Sequence, residues 1–168
     1  MPVLEELRAD HGPAVLAFEV ANRGYFAASV SDRGDAFFER FDELLGERLA
    51  EQAAGICAFY VLVDDDGSVL GRFNLMDIAD GAASLGYRVA RDATGRGVAT
   101  AAVRELARLA VARHGLRTLR AAAADANAAS RRVLAKAGFV PDGPADPADL
   151  GGKRGGWYRL DLDPSGAR

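Results

Sequence analysis

The chain has 168 residues, 49% of them apolar and 27% charged, enough to bury one core and unlike a disordered or collagen-like sequence. Its 21 Lys+Arg against 24 Asp+Glu leave a net charge of −3, which argues against nucleic acid as a partner. A single cysteine, Cys57, with only His11 and His114, excludes an intramolecular disulfide, a cysteine-based zinc site and a histidine cluster, so no metal site is expected.

The N-terminal residues Met1 to Arg8 lack a signal-type apolar region. The longest apolar run, Ile56 to Val63, falls far short of the roughly 20 residues of a spanning helix. The expectation is a reduced, soluble, cytoplasmic protein with no membrane partner, folded as one domain over residues 1–168.

In chain order, Leu4 to Arg8 reads as a strand, and Asp10 as the cap of a helix to about Val20 with Pro13 in its first turn. Phe37, Phe41, Leu44, Leu45 and Leu49 recur at helical spacing, predicting one long helix from Asp35 to Ala54 that Gly55 stops. Ile56 to Val63 and Ser68 to Phe73 read as a hairpin around Asp66-Gly67, which makes the acidic run Asp64 to Asp66 a turn rather than a cation site. Ala83 to Val89 is the next strand, and Gly86 inside it suggests a bulge or a close backbone approach.

A helix is predicted from about Val98 to His114, closed by Gly115, followed by a strand from Thr118 to Ala123. Asn127 caps a further helix to Lys136, and Pro141 to Gly156 reads as a long loop before a last strand from Trp157 to Leu162. The last few residues read as frayed. The pattern is that of an α+β domain around a mixed sheet.

The segment Thr94-Gly-Arg-Gly-Val-Ala-Thr100 lies between a strand and a helix. Glycines there let backbone N–H groups converge, and the helix N-terminus adds partial positive charge, a combination suited to phosphate. Gly-x-Gly also occurs in ordinary turns. A dinucleotide fold wants a third glycine where Thr100 stands, and the Gly-Lys-Ser/Thr of a Walker loop is absent.

A second block, Asn127-Ala-Ala-Ser130 leading to Lys136, Gly138 and Phe139, changes the weight of the first. Together they resemble the GNAT N-acetyltransferase superfamily, whose cofactor loop reads Arg/Gln-x-x-Gly-x-Gly/Ala. Gly97 and Ala99 match that loop, and Thr94 stands where Arg or Gln is usual. The wording is most similar to the branch containing ribosomal-protein N-terminal acetyltransferases. The resemblance implies a GNAT-like, mostly antiparallel sheet, splayed between its fourth and fifth strands and flanked by helices. It also implies an acetyl-CoA-dependent enzyme acetylating a primary amine, a peptide N-terminus or a small molecule, by direct attack in a ternary complex. An antibiotic acetyltransferase and a non-catalytic acyl-CoA-binding module are the alternatives, and a homodimer is one assembly the resemblance allows.

By the same resemblance, Thr94, Gly95, Arg96, Gly97, Val98, Ala99 and Thr100 hold the pyrophosphate of CoA, with Asn127 and Ser130 beside them. The pantetheine arm pairs with Tyr87, Arg88 and Val89 in the splayed gap, which a bulge at Gly86 opens. The tyrosine that protonates the leaving thiolate in many members is replaced by Leu134, which leaves Ser130 as the acid. Glu19 and Asp77 are the candidates for a water-mediated relay from the amine, and Phe18 to Phe26 is expected to line the acceptor side.

Overall fold

In the computed structural model, which describes residues 1–167, seven strands form one sheet: β1 (Val3–Glu6), β2 (Ala58–Val63), β3 (Val69–Ala79), β4 (Ala82–Val89), β5 (Thr118–Ala124), β6 (Val140–Pro144) and β7 (Gly155–Asp161). Their order is β1-β2-β3-β4-β5-β7-β6, antiparallel everywhere except the parallel pair β4–β5. One face carries α5 (Val98–His114) and α6 (Ala128–Lys136) over a core that includes Phe73, Leu75, Leu106, Leu119 and Leu134. The other carries α1 (Gly12–Ala21), α2 (Arg23–Ala27), α3 (Asp35–Glu39) and α4 (Phe41–Ala53) over Val15, Phe18, Phe41, Phe59 and Val61. The alternation along β2 explains the two layers: Tyr60 and Leu62 enter the first core, Phe59 and Val61 the second.

The parallel pair is short. Ala82, Ala83 and Ser84 lie beside Thr118, Leu119 and Arg120, and beyond them the strands part. The expected splay between the fourth and fifth strands is therefore present, but Gly86 does not create it. The β3–β4 register runs unbroken through Asn74 opposite Gly86, and the irregularity falls on β3 between Met76 and Ala79, where Asp77 takes φ 53°. The space a side chain at Gly86 would occupy is filled by the Met76 methyl group, 3.2 Å from an added Cβ.

Other boundaries also differ from expectation. Asp10 does not cap α1: it lies in a 3-10 turn, Ala9–His11, and pairs with the Arg8 side chain at 3.0 Å. His11 is buried, and its Nδ1 accepts the Arg8 backbone N–H at 2.9 Å. The long helix breaks at Arg40 (φ −104°, ψ 21°) into α3 and α4. The strand expected to end at Phe73 continues to Ala79 and turns through Asp80 (φ 53°) and Gly81 (φ 77°), the two positive dihedrals of a two-residue hairpin. The loop expected from Pro141 contains β6, an edge strand where Pro141 and Pro144 need not donate to a ladder. Near the C-terminus Pro164–Ala167 form a 3-10 turn, and Arg168 lies outside the described residues. Among the described residues no helix is long and apolar enough to cross a membrane.

Candidate active site

A cavity of about 360 Å³ opens where β4 leaves β5, between α2, the start of α5 and α6. Tyr87, Arg88, Val89, Thr94, Gly95, Gly97, Val98, Ala99, Thr100, Asn127 and Ser130 all line it, so the two sequence blocks, about 30 residues apart in the chain, converge on one space. Arg96 is exposed and lies outside the lining.

At the mouth, Gly95 and Gly97 take φ of 77° and 72°, a conformation costly for residues with a Cβ, and nothing lies within 4 Å of where a Cβ would stand at either. Gly97 is the N-cap of α5 without a side-chain cap, and the first internal bond at this end runs from the Ala101 N–H to the Gly97 carbonyl. The N–H groups of Val98, Ala99 and Thr100 thus begin a 17-residue helix without intrahelical acceptors, and its first turn holds no acidic side chain. Arg132 and Lys136 line the same cavity from α6. Free donors, a helix dipole, two cations and glycine clearance fit a diphosphate.

The wall of the gap is main chain. The Ala90 N–H donates to the Leu70 carbonyl, and antiparallel alternation from that bond turns the N–H and C=O of Arg88 and Gly86 toward β3. Those of Tyr87 and Val89 therefore face the gap, where an extended chain can pair with them as an added strand.

Side chains from β4 point to opposite faces. Tyr87 stacks on the fully buried Phe73, ring centroids 5.7 Å apart, and reaches α6, where its hydroxyl lies 2.9 Å from Ser130 Oγ. Burial pushes the Tyr87 hydroxyl above its ordinary range, an effect the Ser130 hydrogen bond only partly offsets, so it is protonated at neutral pH. Ser130 is held in turn: its N–H donates to Asn127 Oδ1 at 3.1 Å, the N-cap of α6. Leu134 is fully buried in the core and presents nothing to the cavity.

The two carboxylates expected to border the acceptor do not line the cavity. Glu19 is 1% exposed on α1 and is gripped by Arg33 through two bonds of 2.9 Å and by Arg72 through one of 3.0 Å. Burial alone would raise its pKa, but the hydrogen bonds and charges of Arg33 and Arg72 outweigh it and hold the carboxyl below its usual range. Asp77 is exposed at the β3 irregularity. From the expected acceptor segment, Tyr25 and Phe26 do line the cavity, with Ser29 and Val30 following; Phe18 packs in the second core.

Two kinds of site residue escape a sequence reading. Arg132 and Lys136 stand four apart on the face of α6 that also carries Ala129 and Val133, a spacing that marks one helix face but does not say what it meets. Asn22 is buried at the α1–α2 junction, where its Oδ1 accepts the Arg91 N–H at 2.9 Å and its Nδ2 donates to the Phe18 carbonyl. It ties the helical layer to the turn that leads into the glycine loop.

Residues 3–140 match the sequence profile of the family described as Acetyltransferase (GNAT) domain. No curated protein sequence matches the chain significantly. Among solved structures, the ribosomal-protein-S5-alanine acetyltransferase of Vibrio fischeri superposes with a TM-score of 0.87 at 21% identity, covering 95% of this chain and 92% of that one. RimJ of Mycobacterium smegmatis, in complex with CoA-disulfide, superposes at 0.83 and 22% identity over 94% of this chain and 80% of the other. The spermidine N-acetyltransferase SpeG of Vibrio cholerae gives 0.76 at 14% identity over 95% and 93%. At these identities the likeness is one of fold.

Proposed function

As the chain belongs to the GNAT acetyltransferase family, we propose that it transfers the acetyl group of acetyl-CoA to a primary amine, and that the amine is a free α-amine such as a peptide N-terminus. The observation that carries this reading is the convergence, in one cavity, of the glycine cradle at the α5 N-terminus with the gap between β4 and β5.

Acetyl-CoA supplies the activated thioester. The N–H groups from Gly95 to Thr100, with Arg132 and Lys136, hold its diphosphate, and the main chain of Tyr87 and Val89 orients its arm along the gap. An N–H on this stretch of β4 is a fixed dipole where negative charge develops on the acyl oxygen, an arrangement that lowers the barrier without reorganisation. The Tyr87–Ser130 hydroxyl pair delivers a proton to the departing sulfur, in place of the side chain that Leu134 lacks.

No Asp, Glu or His lines the cavity among the described residues, which bears on the acceptor. An α-amine, with a pKa near 8, is already neutral in useful fraction at neutral pH, whereas a lysine ε-amine near 10.4 is not. A site without a base side chain suits the first. Glu19, locked between two guanidinium groups, is a structural ion pair in this reading, and no relay is assigned to it or to Asp77.

The test is thiol release from acetyl-CoA across free-N-terminus peptides, polyamines and aminoglycosides. Release with the peptides supports the reading; CoA binding without release on any acceptor would leave a non-catalytic module.

A further inference from the structure

Arg88 is the next residue after Tyr87 on β4, and its side chain takes the opposite direction. Its guanidinium carbon lies 5.3 Å from the centre of the Phe26 ring on α2, on the face away from α5 and α6 and away from Arg132 and Lys136. It lines the cavity there, half-buried.

Around it, every nearby carboxylate is already taken. Glu19 is bound by Arg33 and Arg72, and Asp32 and Asp35 are both bound by Arg23 at 2.9 and 2.8 Å. Four guanidinium groups, those of Arg23, Arg33, Arg72 and Arg88, thus face three carboxylates, and of these four Arg88 is the one with neither an ion pair nor a hydrogen bond among the described residues. Burial, together with the charges of Arg33 and Arg72, works against its charged form, and Glu19 and Asp32 only partly offset that. A desolvated, uncompensated guanidinium facing a cavity with no acidic lining residue is a place where an anion gains and a second cation loses.

We propose that the Arg88 side chain is a specificity-determining group that binds a carboxylate of the acceptor, carried within a few bonds of the amine to be acetylated. This rests on the amine-acetylation reading above and narrows its acceptor class. Adjacency sets the spacing: the main chain of Tyr87 faces the gap where the amine attacks, and the Arg88 guanidinium borders the acceptor side one residue on. The fork geometry of arginine gives a carboxylate two parallel charge-assisted bonds. Two kinds of molecule carry this chemistry, a peptide with an acidic residue beside its N-terminus and a free α-amino acid.

Calorimetry with the CoA-loaded protein tests it, using two matched pairs: tetrapeptide amides with glutamate or glutamine in second position, and alanine against alaninamide. The carboxylate member of at least one pair should bind ten-fold or more tightly, and which pair responds identifies the source. Arg88→Gln should erase that difference, and Arg88→Lys should keep part of it. Equal binding within both pairs overturns the proposal, as does a difference that survives in Arg88→Gln. CoA is titrated alone into each protein: a ten-fold loss in Arg88→Gln assigns the side chain to the cofactor and also overturns it. Failure of the wild-type protein to bind CoA is a different result, since it removes the acetyltransferase reading itself.

Discussion

The hydroxyl of Tyr87 on β4 lies 2.9 Å from the Oγ of Ser130 on α6, across the cavity at which the two strands part. Each hydroxyl reaches the other from a different wall, so a proton can pass through the pair to a group seated beside them in the cavity. Ser130→Ala should lower kcat by about 10²-fold, the low end for a lost general acid, with the acetyl-CoA KM little changed. Tyr87→Phe should act in the same direction, and the double variant should be no worse than the more damaging single one. Unchanged turnover in Ser130→Ala removes the serine from proton delivery.

Gly97→Glu should abolish CoA binding while the protein remains folded. The new side chain enters open space, so the fold bears chiefly the cost of a left-handed residue, about 1–2 kcal/mol at φ 72°. The carboxylate meanwhile stands among the donors meant for a diphosphate. Thermal unfolding with and without CoA reads both effects; retained binding places the diphosphate elsewhere.

Glu19→Gln should destabilise rather than impair chemistry. It leaves Arg72, 9% exposed, without its compensating charge. Breaking a buried pair costs about 3–5 kcal/mol, and a chain of this size loses roughly 2–4 °C in Tm for each kcal/mol. A variant with wild-type Tm but no turnover would return Glu19 to the reaction.

The residues of this site and its surroundings differ in what a sequence can disclose of them. The glycine loop and Asn127 are local signals, since a glycine before a helix and an asparagine at its start act through their own neighbours. The strands around Val61, Leu85 and Leu119 were legible for the same reason, as short apolar runs between turn residues. Glu19 is an ordinary helical glutamate until Arg33 and Arg72 are brought to it from 14 and 53 residues away. Tyr87 and Ser130 meet across 43 residues. The break at Arg40 has no glycine or proline to announce it, and β6 was hidden by prolines that only an edge strand tolerates.

Acidification should weaken the fold through His114. Its Nε2 lies 2.8 Å from the buried Tyr60 hydroxyl, and burial holds its pKa below the usual 6.5 despite the opposing charge of Glu6. The unfolded chain then takes up the proton first, so stability is full above about pH 6.5 and falls as pH drops toward the lower folded-state value. Urea titrations from pH 7.5 to 5 should show a decline that His114→Gln reduces; identical slopes in the two proteins would mean that His114 is not the group responsible.

Cys57 is buried in the second core and does not line the cavity. Cys57→Ala should retain wild-type turnover, because a buried apolar thiol is a poor nucleophile. Loss of turnover with the fold intact argues for a covalent acetyl-cysteine and against direct transfer.

The most direct measurement is a crystal structure of the protein with acetyl-CoA. The diphosphate should rest on the main-chain N–H groups between Gly95 and Thr100, and the pantetheine should run beside Tyr87 and Val89 in the space β5 has left. A diphosphate bound anywhere else, with the α5 N-terminus free or closed by the protein's own side chains, would contradict the assignment of the site.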